Sequence, residues 1–348
     1  MRAAVYREFG GPIRVERIPK PAAPPGGVLL EVKATGVCRS DWHGWKGHDS
    51  DIAEHGMPFT PGHECSGIVA ALGEATSGFA VGDRVAVPFI LSCGRCRECG
   101  RGRSTICERQ EQPGFTMMGS FAEFLALPRA ERNLCKLPPS VSFVEAAALG
   151  CRTTTAYRAV VQQGRLAPGE VCAVFGCGGL GLSAIMIAAG HGARVIAIDT
   201  SPEALAQAEG FGAFATVDAR QPDEAVRARV LELSDGVGAD LAVDAAGFAP
   251  TSENAVWTAR RGGRMVQVGL PIGGRAPSIP MARVAAREVE IIGSHGLAAA
   301  DMPALLAMVA EGRLRPAALV RREVGLEEGA RAIEAMEAGP RARQPGHA

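Results

Sequence analysis

The stretch Gly176-Cys-Gly178-Gly-Leu-Gly181 stands directly after the apolar run Val171–Phe175 and directly before an apolar segment that begins at Leu182. Strand, glycine turn and helix in that order restrict half of the chain to one architecture. Gly176 permits the tight turn, Gly178 lets the backbone approach a diphosphate, and Gly181 allows the helix to pack close to the strand. The positive N-terminal end of that helix is where a diphosphate would sit. The rhythm from about Glu170 onward agrees. Short apolar strands are expected at Val171–Phe175, Arg194–Ile198, Phe214–Val217, Leu241–Val243, Arg264–Val268 and Val289–Ile292, separated by helix-length segments. Six such strands imply an α/β fold with a doubly wound parallel sheet.

Asp199 ends the second of these strands, eighteen residues after Gly181. A carboxylate there accepts hydrogen bonds from both ribose hydroxyls and repels a 2′-phosphate, so NAD is expected rather than NADP. Thr200 follows, where an NADP-dependent chain often places Arg. The bland alternative is a glycine turn with a solvated Asp cap, which leaves the flanking strand and helix unexplained.

The first half has a different texture. Val28-Leu-Leu-Glu-Val-Lys-Ala and Gly67-Ile-Val-Ala-Ala-Leu alternate with a period of two and are cut by turns at Pro24-Pro-Gly-Gly and Gly78-Phe-Ala-Val-Gly-Asp. This predicts an antiparallel β domain or barrel, with Cys38 just beyond a strand end. After Asp301 the pattern is helical through Leu305, Leu306, Met308 and Val309, then strand-like over Ala318-Leu-Val-Arg-Arg-Glu-Val, and the tail from Gly339 is polar and Pro-rich. The tail is expected to fray.

Ten cysteines punctuate the chain. Cys93, Cys96, Cys99 and Cys107 fall within fifteen residues in a C-x2-C-x2-C-x7-C pattern, among Gly, Arg, Glu, Ser and Thr. Four thiolates in a hydrophilic loop suit one tetrahedral zinc ion held for structure. An iron–sulfur cluster is the rival, disfavoured because zinc suits a tetrahedral thiolate site in which no redox chemistry is required. Cys38, His63 in Gly62-His63-Glu64, and Cys151 in Gly150-Cys151-Arg152 are dispersed, and a lone His or Cys is more often core than ligand. Cys65, Cys135, Cys172 and Cys177 fit no ligand spacing and read as small apolar residues.

At 348 residues the chain accommodates two domains with buried cores. Basic and acidic residues number 37 each, so no global field attracts nucleic acid or an anionic membrane. The N-terminus lacks the apolar core of a secretory signal, and the longest apolar stretch, near Leu182–Ala189, is too short to span a bilayer. A cytoplasmic protein is expected, with thiols rather than disulfides.

The combination, in order, of Cys38-Arg-Ser40-Asp41, Gly62-His63-Glu64-Cys-Ser-Gly67 followed by Gly73, the four-cysteine loop, Gly150-Cys151 and the glycine turn resembles the zinc-dependent medium-chain alcohol dehydrogenase family over nearly the whole chain. The resemblance implies a GroES-like β-rich catalytic domain, 1–153 with 294–348 returning to it, and a Rossmann domain, 154–293. It implies two zinc ions per chain and NAD. Cys38, His63 and Cys151 match the ligands of a catalytic zinc, which leave a fourth position open, with Glu64 beside the metal or as a transient ligand. Asp41 matches the acid that orients the imidazole of His63. Ser40 matches the hydroxyl that takes the substrate proton, and His43 the outer member of a relay through the nicotinamide ribose. Thr155 and Leu180 match positions against the nicotinamide, Arg39 one near the diphosphate, and Gly179 and Gly269 backbone positions lining the cofactor.

Each of the relay residues has a plainer reading: Ser40 and His43 as turn or helix caps, His43 as a surface imidazole, Asp41 as an N-cap, Glu64 as a paired buried carboxylate. Two departures from the family pattern stand out. Ser201-Pro202-Glu203-Ala204 supplies no basic residue after Asp199, which weakens the expected hold on adenosine, and the tail lacks the apolar strand with which members commonly finish, so the first domain is expected to have one strand fewer.

The expected reaction is reversible oxidation of an alcohol to an aldehyde or ketone, with zinc as Lewis acid and hydride passing to the nicotinamide. A polyol or sugar dehydrogenase is the alternative; many of those place Glu where this chain has Cys151. A non-catalytic NAD- and zinc-binding structural protein is the remaining one. Trp42, Trp45, Phe89 and Met118 lie in segments expected near the metal and suggest an apolar substrate pocket, or else are core. A homodimer or homotetramer is implied by the relatives, with a small-molecule substrate as partner.

Overall fold

Period-two alternation in the first half folds as strands. β1 (Arg2–Val5) and β2 (Arg14–Arg17) pair antiparallel. β3 (Val28–Thr35), β4 (Cys65–Leu72), β5 (Arg84–Val87), β6 (Phe124–Leu127) and β7 (Cys135–Lys136) form a five-stranded antiparallel sheet in the order β6-β3-β4-β5-β7. Val28 and Leu30, Val85 and Val87, and Leu125 and Leu127 project to one buried face, as alternation requires. Truncating Leu30 to Ala there would cost about 2–5 kcal/mol. These are features of a computed structural model, which describes residues 1–270 and 275–338.

The chain divides into two units. The first comprises Met1–Cys151, Ala298–Ala310 and the described residues from Arg315; the second comprises Arg152–Leu297 and Glu311–Leu314. A second core in the first unit gathers Tyr6, Trp42, Trp45, Phe59, Phe115 and Phe121 with Ala330 and Ile333 of the helix Leu326–Ala335. Register then places the chemistry. Because β3 and β4 run antiparallel with Thr35 opposite Cys65, the residues just after β3 and those just before β4 emerge at the same sheet end. Cys38 and His63 are those residues.

The second unit is a six-stranded parallel sheet of β8 (Val171–Phe175), β9 (Arg194–Asp199), β10 (Ala215–Asp218), β11 (Ala239–Asp244), β12 (Ala259–Gln267) and β13 (Glu290–Gly293). The order β10-β9-β8-β11-β12-β13 reverses direction between β8 and β11. That switch point is where open α/β sheets bind ligands, at the carboxyl ends of the strands. All five residues of β8 are buried, as a central strand covered on both faces demands.

One expected strand is absent. Instead of a strand over Ala318–Val324, a short 3-10 helix runs Pro316–Leu319 and the residues beyond it join no sheet. Pro316 at the first helical position pre-sets the turn, and Arg321, Arg322 and Glu323 are exposed, so no face of that segment is buried. The tail from Gly339, and with it the expectation of a missing terminal strand, lies outside the described residues. Among the described residues no helix is long and apolar enough to cross a membrane.

Candidate functional site

Cys38 is the N-cap of the helix Arg39–Trp45, in an extended conformation. Asp41, at the third helical position, turns back so that its Oδ2 accepts from the Cys38 backbone N–H at 2.9 Å. Its Oδ1 accepts from the Gly62 N–H at 3.1 Å and from His63 Nδ1 at 2.9 Å. The cap and the orientation of His63 are therefore one arrangement. Both side chains are essentially buried. When the ring is neutral and donates its Nδ1–H to Asp41, the lone pair is on Nε2, and Nε2 is buried with no hydrogen-bond partner among the described residues. An orphaned imidazole nitrogen of this kind ordinarily needs an explanation.

Cys38, His63, Glu64 and Cys151 each offer one ligand atom, and these atoms lie within 4.8 Å of one another. Two thiols and an imidazole form the donor set that borderline-soft zinc prefers. Burial opposes protonation of His63, but Asp41 and then Cys38 outweigh it and hold the pKa well above the ordinary value. Glu64 Oε1 accepts from the Cys151 N–H at 3.2 Å. The Glu64 side chain fits because two glycines leave it room: a Cβ at Gly36 would come within 2.1 Å of Glu64 Oε2, and one at Gly150 within 2.4 Å of Glu64 Cβ. Gly150 also leaves helical geometry and kinks the helix just before Cys151.

Phe115 and Phe89 flank the metal-ligand candidate, with ring centroids 5.1 and 6.1 Å from that of His63. Phe115 carried no signal in the sequence, since it lies on an irregular turn between strands. Of the other expected pocket residues, Trp45 belongs to the core, its Nε1 donating to the Gly11 carbonyl at 2.7 Å. Trp42 is buried in the same core, and Met118 is exposed. Core packing thus accounts for Trp45 entirely.

Ser40 Oγ lies 3.8 Å from Cys38 Sγ. His43, one helical turn on, places its Nδ1 3.0 Å from Nδ1 of His48. Arg39 stacks its guanidinium over Trp42 at 3.8 Å and donates to the Met336 carbonyl at 2.8 Å.

Cys93, Cys96, Cys99 and Cys107 also converge within 4.8 Å. The Sγ atoms of Cys96 and Cys107 are 3.8 Å apart, close to the ~3.8 Å edge of a tetrahedron with metal–sulfur bonds of ~2.3 Å. Backbone N–H groups of Cys93 and Arg109 point at Cys107 Sγ, and that of Cys99 at Cys96 Sγ, at 3.3 to 3.5 Å. Such donors favour thiolates; the Arg95 amide above all brings Cys93 down to about 6, whereas burial outweighs the donors at Cys107 and pushes it up to about 12. None of the ten cysteines is in a disulfide. Burial pushes Cys65, Cys172 and Cys177 up to about 12 and Cys135 up to about 11, which makes them inert packing groups.

In the second unit Gly176 has a φ of 93°, and its Cβ would meet Ala246 at 2.7 Å. A Cβ on Gly181 would lie 1.7 Å from the Gly176 carbonyl oxygen. The loop is thus closed against its own helix, Gly179–Gly190, whose N-cap Gly178 offers no side chain to the first N–H groups. Leu180 is half-buried in the first turn and Gly179 abuts Arg152. Asp199 ends β9, its two oxygens accepting from the N–H groups of Cys177 at 2.6 Å and Ser201 at 2.8 Å. Thr200 is exposed. Gly269 donates to the Asp244 carbonyl at 2.8 Å and approaches Gly247 too closely for any Cβ. Thr155 is buried, its hydroxyl without a partner among the described residues. Ser201 caps the helix Pro202–Gly210 and donates to Glu203 at 2.7 Å, so the position where a cation often stands is acidic.

Comparison with known proteins agrees with this construction. Residues 24–139 match the family model for the alcohol dehydrogenase GroES-like domain, and residues 179–311 match that for zinc-binding dehydrogenases. An alcohol dehydrogenase of Geobacillus stearothermophilus is 36% identical over 318 residues, 90% of each chain. A sorbitol dehydrogenase of Halalkalibacterium halodurans is 32% identical over 345 residues, 97% of each. The solved structure of alcohol dehydrogenase TADH from Thermus sp. ATN1 superposes with a TM-score of 0.88 at 34% identity, covering 97% of both chains. The chain belongs to the zinc-dependent medium-chain alcohol dehydrogenase family and is an oxidoreductase.

Proposed function

We propose that the chain interconverts an alcohol and its aldehyde or ketone with NAD, using one zinc ion at Cys38, His63 and Cys151 and a second at Cys93, Cys96, Cys99 and Cys107. The observation that carries the reading is His63 Nε2: buried, without a hydrogen-bond partner among the described residues, and within reach of two thiols while Asp41 holds the opposite nitrogen. When bound there, zinc supplies Lewis acidity that makes an alcohol hydroxyl acidic near neutral pH, and the nicotinamide supplies a hydride acceptor.

The chain's own residues do the rest. Asp41 fixes the tautomer of His63 and ties it to the Cys38 backbone. Glu64 packs between Gly36 and Gly150 and steadies the Cys151 amide. Ser40 accepts the proton that the alcohol loses, and His43, half-buried on the same helix, carries it outward. Asp199 receives the ribose hydroxyls and disfavours a 2′-phosphate, with Glu203 adding to that bias. Arg39, Thr155, Leu180, Gly269 and the glycine turn complete cofactor binding.

The aromatic rings of Phe89 and Phe115 beside His63 favour a hydrophobic alcohol. Similarity to a sorbitol dehydrogenase favours a polyol as the second reading. We take the working form to be a cytoplasmic homodimer or homotetramer of two-domain chains. A substrate panel of linear, aromatic and polyhydroxy alcohols, run with NAD and with NADP on protein of known zinc content, tests the proposal. NADH formation from apolar alcohols by protein holding two zinc ions supports it; turnover confined to polyols supports the second reading, and no turnover with any substrate contradicts both.

A further inference from the structure

The helix Arg39–Trp45 ends in a loop that returns a second imidazole to His43. His48 donates its backbone N–H to the His43 carbonyl at 3.0 Å, and the two side chains meet Nδ1 to Nδ1, also at 3.0 Å. Trp42 lies edge-on against both rings, with centroids 4.9 Å from His43 and 5.6 Å from His48. Backbone, ring contact and ring nitrogen all fix one pairing. His48 itself is exposed and His43 half-buried.

A hydrogen bond between two neutral imidazoles contains one proton, and its direction decides what His43 can do. If His43 Nδ1–H donates, His43 Nε2 is left with a lone pair and is a base. If His48 donates instead, His43 carries its proton on Nε2 and has no basic nitrogen to offer. Either tautomer costs His48 little, since the residue is exposed to water. The groups that act on His43 are Cys38 and Arg39 at the start of its own helix and His48 on the loop; burial first, then Arg39 and His48, bring its pKa down to about 4. His43 is therefore neutral near pH 7, the state in which the tautomer matters.

We propose that His48 is a positioning residue for the relay: its Nδ1 accepts the Nδ1 proton of His43 and so keeps His43 Nε2 free to take the proton arriving from the alcohol by way of Ser40. The inference rests on the reading of His43 as a relay base. When Nε2 gains that proton the ring becomes an imidazolium, its Nδ1–H still shared with His48, and it returns to neutral by losing the same proton to water. Ser40 Oγ takes the alcohol's proton as it passes its own to His43 Nε2, so its hydroxyl is regenerated and the net change is one proton moved from the alcohol to water.

The test combines tautomer and turnover. Nitrogen-15 NMR of histidine-labelled protein at neutral pH should show His43 as the Nδ1–H tautomer, becoming a mixture in His48→Ala. The rate of transient proton release on mixing alcohol with the NAD-loaded protein, read with an indicator dye, should fall about tenfold in His48→Ala, below the ~100-fold cost of losing a positioned base outright. His48→Asn, which keeps an acceptor but cannot titrate, should restore both signals. An unchanged tautomer and unchanged release rate in His48→Ala, with the rate lost in His43→Ala, would overturn the role of His48 and leave the relay standing. An unchanged rate in His43→Ala would remove the relay itself. Loss in His48→Ala that His48→Asn fails to restore would show that the imidazole acts otherwise than as an acceptor.

Discussion

Asp41 Oδ1 holds His63 Nδ1 at 2.9 Å, while the other oxygen of the same carboxylate caps the helix that presents Cys38. One side chain thus links two of the three candidate ligands, and its loss is expected to loosen both. Asp41→Asn should weaken zinc binding by about 10–100-fold. Competition with a chelator under conditions that spare the four-cysteine site measures it, and an unaltered affinity contradicts the assignment.

The four-cysteine loop should behave as a separate staple. Cys99→Ala removes one of the buried thiols and is expected to lower the zinc count from two to one and the melting temperature with it. Calorimetry with metal analysis checks both. Retention of two ions would show that the loop does not hold one.

The glycine turn offers a steric test. A Cβ at Gly181 would lie 1.7 Å from the Gly176 carbonyl oxygen, so Gly181→Ala must push helix and turn apart, at about 1–3 kcal/mol. NADH affinity, followed by fluorescence, should fall, whereas Gly210→Ala, where a Cβ meets nothing, should leave it intact.

Acid should expose His43. Its folded pKa of about 4 lies below the ordinary 6.5, so the folded state binds this proton less readily than the unfolded chain. The contribution to stability is full above pH ~6.5 and is lost as pH falls toward ~4. His43→Gln should flatten the pH dependence of unfolding in that window, read from denaturant midpoints between pH 4 and 7. An identical slope in the variant would contradict the shift.

Cofactor choice turns on Asp199 and its acidic neighbour Glu203. Asp199→Gly combined with Ser201→Arg should reduce the NAD to NADP ratio of kcat/KM at least about tenfold, since it removes the 2′-phosphate's repulsion and supplies a cation. Steady-state kinetics with both cofactors reads it directly.

What the sequence revealed and what it hid follow a physical divide. The strands of the parallel sheet and the glycine turn were legible because the decisive residues are neighbours along the chain: Val171–Phe175, the turn and the helix from Gly179 form one continuous segment. The convergence of Cys93, Cys96, Cys99 and Cys107 is local in the same way. Cys38, His63 and Cys151 became candidates only through the family pattern, because β3 and β4 bring the first two together by register rather than by spacing. Phe115, Gly36 and the His43–His48 pair left no periodic trace, for each matters only through space. The strand expected at Ala318–Val324 does not form, because Pro316 starts a short 3-10 helix and the exposed Arg321-Arg322-Glu323 leave the apolar residues no sheet face to share.

The central claim is that the dispersed cysteines and His63 hold the metal that does the chemistry. Zinc content and alcohol-dependent NADH formation in Cys151→Ser, beside NADH binding by the same protein, test it most directly. The account predicts one zinc ion per chain in place of two, turnover reduced at least about 100-fold, and NADH binding retained. Full zinc content with full turnover would contradict it.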